Sequence, residues 1–242
     1  MTRAELWYIP PGGEVNGVIV LCPGYNSSGK SMVNNRKWRA FAKEKGLGLV
    51  GISFASEEKD LQSGKGYYYA CNGSGEVLLQ GIREIFGEEV SLYLYGFSGG
   101  GHFVSRFMMW KPEVVAGWCA YGAGWWDEPE SGKLYPPGIV VSGSGDDRYN
   151  ACFSFFRQGR ELGQPWLWCK AAGFGHEMSP PLEAFTRDFF SALLLAQEEC
   201  WIDIGSGELV NLDDVEEKSS TGFLPGADLL PGWKTLNEES TQ

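Results

Sequence analysis

Short apolar runs along the chain alternate with longer segments in which apolar residues recur every three or four positions. Val90, Leu92 and Leu94, together with Tyr93 and Tyr95, are typical of a buried strand. Shortly afterwards, Phe103 and Phe107 fall on one face of a predicted helix. By the same reasoning we predict strands at 5–9, 17–21, 47–54, 90–95, 114–121, 138–142 and 166–170, and helices at 35–45, 76–86, 102–110, 149–162 and 182–197.

Strands that alternate with helices predict an α/β fold, with a mainly parallel central sheet and helices on both faces. We assign this domain to residues 1–199. The remaining stretch, 200–242, is rich in Gly, Asp, Glu and Ser. Its apolar pattern at 202–210 predicts a small hairpin, and we expect the rest of this C-terminal extension to be irregular, with frayed last residues.

Composition narrows the classes of protein to consider. The chain has 242 residues and a formal net charge of -11, which argues against binding to nucleic acid or to anionic membranes. The same charge mildly disfavours highly anionic substrates. The first five residues are not followed by the apolar segment that a signal peptide would have. No apolar run reaches membrane-spanning length. We therefore expect a soluble cytoplasmic protein, with a mature secreted form as the alternative.

The six cysteines are scattered, and they form neither a Cys-x-x-Cys pair nor a cluster with the spacing of a zinc site. We expect buried free thiols, with Cys71 as the exception because it lies in a polar loop. The sequence gives no reason to expect a metal or an organic cofactor.

The most informative motif is Gly-x-Ser-x-Gly around Ser98, between the strand 90–95 and the helix 102–110. With 34 glycines in the chain, the motif alone has little weight. Its position between a strand and a helix is the context that a nucleophile elbow requires. A tight turn of this kind exposes the serine oxygen and makes it available to a base. We predict that Ser98 is a nucleophile.

A nucleophilic serine needs a histidine as its base, and the chain has only two. His102 lies in the helix that leaves the elbow, where its side chain is poorly placed to reach the serine oxygen. His176 follows the predicted strand 166–170. Since the carboxyl ends of parallel strands gather at one edge of a sheet, His176 is the predicted base.

The acid that orients the base should follow another strand at the same edge. Asp146 and Asp147 both follow the strand 138–142. We favour Asp146, because Asp147 is placed to cap the next helix or to pair with Arg148. The order along the chain is then serine, acid, histidine, which is the order of α/β-hydrolases.

On these motifs the chain resembles the α/β-hydrolase superfamily over residues 5–197. Within it, the chain is similar to the group of dienelactone hydrolases, polyhydroxybutyrate depolymerases and feruloyl esterases. The resemblance is carried by the segments 22–25, 96–100, 143–146 and 175–176.

The resemblance implies an oxyanion hole made of two backbone N–H groups. One belongs to the residue after the nucleophile, here Gly99. The other comes from the early turn, here from Tyr25 or, as an open alternative, Asn26. Relatives often have His-Gly in this turn, where this chain has Pro23 and Gly24. A backbone donor does not depend on that side chain.

Aromatic residues in two loops are candidates for the substrate pocket. Trp125 and Trp126 follow the strand 114–121 and should reach the edge where Ser98 lies, although core packing explains them equally well. Tyr68, in the polar stretch 55–75, is a second candidate for lining the substrate pocket. Such aromatics fit an apolar or aromatic ester better than a polyanion.

Together these observations predict a serine hydrolase that cleaves small or oligomeric carboxylic esters through an acyl-enzyme intermediate. The alternatives are a peptidase, amidase or acyltransferase that uses the same triad, and a non-catalytic binding protein of the same fold.

Overall fold

The computed structural model describes residues 1–87 and 90–238. The chain forms two compact units, residues 1–120 and 121–242. The division predicted from the sequence, into a domain at 1–199 and an extension at 200–242, stays a prediction. The frayed end expected for that extension falls on residues 239–242, which lie outside the described residues.

The first unit contains a mainly parallel sheet. Strands β3, β2 and β4 are parallel neighbours, and β1 pairs antiparallel with β3 at the edge. The strand order is β1-β3-β2-β4-β5. The elements of this unit are strands β1 (Arg3–Ile9), β2 (Val18–Cys22), β3 (Gly48–Ala55), β4 (Leu92–Phe97) and β5 (Val115–Tyr121), and helices α1 (Lys30–Val33), α2 (Arg36–Lys45), α3 (Glu58–Gln62), α4 (Ser74–Phe86) and α5 (Gly99–Trp110).

Two glycines of β3 show that helices cover both faces of this sheet. A Cβ at Gly48 would meet the ring of Phe86 in α4, and a Cβ at Gly51 would meet Val33 in α1. Residues three positions apart in a strand point to opposite faces. The helices α1 and α4 therefore pack on opposite sides of β3, as the alternation of strands and helices predicts.

The second unit joins a parallel strand pair to a small antiparallel sheet. Strands β6 and β7 pair in parallel, and the small sheet has the order β10-β8-β9. The elements are strands β6 (Gly138–Gly143), β7 (Trp166–Ala171), β8 (Cys200–Asp203), β9 (Leu209–Val210) and β10 (Thr221–Leu224), and helices α6 (Tyr149–Glu161), α7 (Pro180–Leu194) and α8 (Leu230–Asn237).

The C-terminal stretch is more ordered than its composition suggests. The predicted hairpin is confirmed as β8 and β9, but the part expected to be irregular contains the strand β10 and the helix α8. Phe223, Leu224, Trp233 and Leu236 are each at most 7% exposed. The prediction was wrong because a few well-spaced apolar residues are enough to anchor an element, even where Gly, Asp and Glu dominate the average.

The helix α8 lies along the outer edge of β7. The indole Nε1 of Trp233 donates to the carbonyl oxygen of Trp168 at 2.7 Å, and the backbone N–H of Lys170 donates to Asn237 Oδ1 at 2.7 Å. These bonds occupy backbone groups that an edge strand otherwise leaves open to pairing with another chain.

The cysteines are free thiols, as predicted. Cys71 is exposed, Cys200 is partly buried and the other four are buried. Within the described residues, no helix is long and apolar enough to cross a lipid bilayer.

Candidate active site

Ser98 occupies a strained turn between β4 and α5. Its backbone has φ 52° and ψ -113°, and it is one of three non-glycine residues with positive φ in the described part of the chain. Such a conformation costs on the order of 1–3 kcal/mol and persists only where the surroundings enforce it. The structure therefore gives Ser98 the backbone expected of a nucleophile elbow.

The glycines beside Ser98 are required by close backbone contacts. A Cβ at Gly96 would overlap the carbonyl group of Gly100, and a Cβ at Gly100 would overlap the carbonyl group of Cys22. The first helical residue, Gly99, has a backbone N–H without an acceptor inside its own helix. This N–H and the helix dipole favour negative charge near the serine.

The turn after β2 brings a second backbone N–H next to Gly99. A Cβ at Gly99 would lie only 2.8 Å from the backbone nitrogen of Tyr25. The N–H of Asn26, the alternative donor, already donates to the Tyr67 hydroxyl oxygen at 3.3 Å. Within the described residues, no hydrogen bond engages the N–H of Tyr25. Of the two N–H groups, that of Tyr25 is therefore the one next to Gly99 without an acceptor among the described residues, and its role as oxyanion donor stays a prediction.

A ring of hydrogen bonds holds this turn. The Asn26 amide donates to the Ser56 carbonyl at 3.0 Å and accepts from the Ser56 N–H at 3.1 Å. The Ser56 hydroxyl in turn accepts from the Tyr67 N–H at 3.0 Å. These contacts explain how Asn26 keeps a φ of 51°, a conformation that asparagine tolerates better than most residues.

In the second unit, the structure pairs His176 with Asp146. The distance from Nδ1 of His176 to Oδ2 of Asp146 is 2.7 Å, and the Asp146 side chain is fully buried. Asp147 is exposed. Since a neutral imidazole that donates from Nδ1 has an accepting Nε2, this pairing prepares His176 to act as a base.

Arg148 holds the other oxygen of the same carboxylate. Its backbone N–H and its guanidinium donate to Oδ1 of Asp146 at 3.0 and 3.2 Å. Burial alone raises the pKa of a carboxyl group, but the hydrogen bonds from Arg148 and His176 outweigh it and lower the pKa of Asp146. Asp146 is therefore ionised beside the imidazole.

Glycines allow the loops of this pair to approach each other. Gly122 has φ 65°, and a Cβ there would lie 3.1 Å from Cε1 of His176 and 3.3 Å from Oδ2 of Asp146. A Cβ at Gly143 would overlap the backbone of the loop that leads to His176, and the Gly145 N–H donates to the Phe174 carbonyl at 2.9 Å.

Solved structures with the same architecture were found by comparison. Esterase PE8 has a TM-score of 0.60 and 15% identity, over 79% of this chain and 100% of that one. The poly(3-hydroxybutyrate) depolymerase LpqC from Bordetella parapertussis has a TM-score of 0.54 and 17% identity, over 86% of both chains. FphF, a fluorophosphonate-binding serine hydrolase of Staphylococcus aureus, has a TM-score of 0.57 and 14% identity, over 78% of this chain and 91% of that one.

The chain has the α/β-hydrolase fold. No protein-family profile matches its sequence, and no curated protein sequence matches it. The likeness lies in the backbone, and it confirms the fold predicted from the segments around Ser98, Asp146 and His176.

The aromatic residues predicted for the pocket differ in their surroundings in this α/β-hydrolase fold. Trp125 is 48% exposed. Trp126 stacks on Phe155 of α6 with ring centroids 4.3 Å apart, which favours the core-packing alternative for this residue. Tyr68 is buried and stacks on His102 at 4.7 Å. Substrate contacts by Trp125, Trp126 and Tyr68 stay predictions.

His102 lies on the helix of the elbow, as the sequence predicts. It is buried under Tyr68, and its Nδ1 lies 3.4 Å from Nη1 of Arg106. The Arg106 guanidinium also lies 4.5 Å from the ring centre of Tyr69. This histidine is thus part of a packed cluster beneath the loop 67–69.

Three residues of the site were not predicted from the sequence. Arg148 holds Asp146, Gly122 makes room for His176, and the Tyr67 hydroxyl lies beside Gly99. A local signal exists only for Gly122, in the glycine-rich segment 122–124 after a predicted strand. The contacts of Tyr67 join residues far apart in the chain, which periodicity does not detect.

Proposed function

We propose that this protein is a serine hydrolase that cleaves carboxylic esters, with Ser98 as nucleophile, His176 as base and Asp146 as the orienting acid. The observation that carries the proposal is the 2.7 Å hydrogen bond between His176 and the buried Asp146. An imidazole fixed in this way is the base that a serine nucleophile requires. The strained elbow of Ser98 supplies the matching nucleophile.

The proposed reaction starts when the Oγ of Ser98 attacks the ester carbonyl carbon, while Nε2 of His176 accepts the hydroxyl proton. The C=O bond becomes a C–O⁻ bond, and the backbone N–H groups of Tyr25 and Gly99 stabilise the oxyanion. Asp146 stabilises the imidazolium without taking its proton.

Collapse of this intermediate breaks the bond to the leaving alcohol, which receives the proton from His176. A water molecule then attacks the acyl-enzyme, and His176 accepts a proton from it. The second collapse releases the carboxylic acid and returns the proton to Ser98. The nucleophile, the base, the acid and the oxyanion donors of this cycle are all groups of the chain.

Three solved structures support ester hydrolysis as the class of reaction. They are named as an esterase, a poly(3-hydroxybutyrate) depolymerase and a serine hydrolase. The exposed ring of Trp125 supports an apolar or aromatic ester as substrate.

The test combines a panel of p-nitrophenyl esters with a fluorophosphonate probe that labels activated serines. We expect the wild type to hydrolyse the esters and to be labelled. The substitution Ser98→Ala removes the attacking oxygen, so it should abolish labelling and reduce kcat by about 10⁴–10⁶-fold.

Ser105→Ala is the matched control, because Ser105 lies on the same helix and its hydroxyl only donates to the carbonyl of His102. It should keep labelling and turnover close to the wild type. An inert, unlabelled wild type would contradict the proposal and favour a binding protein. Labelling together with turnover of amides but not esters would favour a peptidase or amidase.

A further inference from the structure

Tyr67 is a buried tyrosine that the proposed mechanism does not use. Its side chain is 2% exposed, and its ring packs edge-on against Phe54 and Tyr68. Its backbone N–H donates to the Ser56 hydroxyl, and its carbonyl accepts from the Ser74 hydroxyl at 2.9 Å. Backbone and ring are both held, so the hydroxyl group has a fixed position.

That position is beside the two backbone N–H groups proposed to bind the oxyanion. A Cβ at Gly99 would lie 2.8 Å from the Tyr67 hydroxyl oxygen and 2.8 Å from the backbone nitrogen of Tyr25. The Cβ of a residue adjoins its own backbone nitrogen. The Tyr67 hydroxyl and the N–H groups of Tyr25 and Gly99 therefore border one small space.

The hydroxyl of Tyr67 is equipped to donate into this space. It accepts the N–H of Asn26 on one lone pair. Its one proton is shared with the side chain of Tyr68, and it turns about the C–O bond to reach another acceptor when one forms in this space. Burial, reinforced by the neighbouring Tyr68, raises the pKa of Tyr67, so the hydroxyl keeps its proton near neutral pH.

We propose that the Tyr67 hydroxyl is a third donor of the oxyanion hole, which donates a hydrogen bond to the negative oxygen formed when Ser98 attacks an ester. This role rests on the hydrolase function proposed above. No proton is transferred to the oxyanion, and Tyr67 stays neutral throughout. The hydrogen bond strengthens as the carbonyl oxygen becomes an anion, so it acts on the transition state more than on the bound substrate.

The experiment that tests the donor role of Tyr67 uses Tyr67→Phe, which removes the hydroxyl and keeps the ring. We expect kcat for a p-nitrophenyl ester to fall by about 10²-fold, with KM changed less than about threefold. The affinity for a trifluoromethyl ketone, which forms an oxyanion on Ser98, should fall by a similar factor. The affinity for the carboxylic acid product should stay the same.

Tyr135→Phe is the matched control. Its hydroxyl is also buried and also accepts a backbone N–H, that of Glu130 at 3.2 Å. If Tyr67 had only a structural role, both variants would lose thermal stability, and Tyr67→Phe would bind the ketone and the acid with equal losses. That result overturns the inference, as does a kcat within twofold of the wild type.

The wild type alone provides a second measurement, which does not depend on the folding of a variant. In a crystal structure of its trifluoromethyl ketone adduct, we expect the Tyr67 oxygen within hydrogen-bond distance, about 3 Å, of the oxyanion. A distance that excludes a hydrogen bond contradicts the role of Tyr67 and leaves the hydrolase proposal intact. A wild type without Ser98-dependent activity contradicts the hydrolase proposal itself.

Discussion

Both carboxylate oxygens of Asp146 accept hydrogen bonds, Oδ1 from Arg148 and Oδ2 from His176, and this determines what its substitution should do. In Asp146→Asn, the side-chain amide no longer holds His176 in the tautomer that a base requires. We expect kcat for ester hydrolysis to fall by about 10⁴-fold. Asp147→Asn, one residue along and exposed, should stay near the wild type. The opposite result would assign the acid to Asp147.

The same residue links folding stability to pH. Because the pKa of Asp146 is lowered in the folded state, its ionised form stabilises the protein above the pKa of an unfolded aspartate. This contribution is lost as the pH falls through the lowered folded-state pKa. The difference in Tm between the wild type and Asp146→Asn should therefore be largest near pH 7 and shrink as the pH falls below the pKa of an unfolded aspartate, about 3.9. A difference independent of pH would show that Asp146 stabilises the fold by packing alone.

At the residue scale, the sequence predicts those parts of the site that have local signals. Ser98 follows from its glycines and from the strand and helix around it, and His176 follows from the small number of histidines. Two adjacent carboxylates have no local feature that separates them decisively. Only the folded loops show Asp146 facing inward and Asp147 outward.

At the element scale, periodicity predicts the strands and helices with long, regular apolar patterns. The structure has α2 and β7 within one residue of their predicted bounds. The helix α8 was missed because its first turn contains Pro231 and Gly232, and few apolar residues mark its buried side. Its packing against β7 stabilises it where local propensity does not.

The contribution of α8 to stability and to protection of the β7 edge can be tested by replacing Trp233. Trp233→Ala removes a buried indole and its hydrogen bond to the strand, so we expect the free energy of unfolding to fall by about 3–5 kcal/mol. An opened edge should also promote self-association, measured by light scattering. Leu134→Ala is the control, because that side chain is 76% exposed and its loss should change stability by less than about 0.5 kcal/mol. Equal effects of the two substitutions would contradict the role assigned to α8.

At the scale of the whole molecule, the excess of acidic residues, 31 against 20 basic ones, should discriminate between ester substrates by charge. A field of this sign slows the approach of anions and leaves neutral molecules unaffected. We expect kcat/KM for neutral p-nitrophenyl butyrate to exceed that for the anionic mono-p-nitrophenyl ester of succinic acid. Raising the salt from about 0.01 M to about 1 M shortens the screening length from about 30 to about 3 Å. The ratio of the kcat/KM for the neutral ester to that for the anionic ester should therefore fall as the salt concentration rises.

A ratio that salt does not change would assign the preference to contacts inside the pocket. A preference for the anionic ester at low salt would contradict steering by net charge.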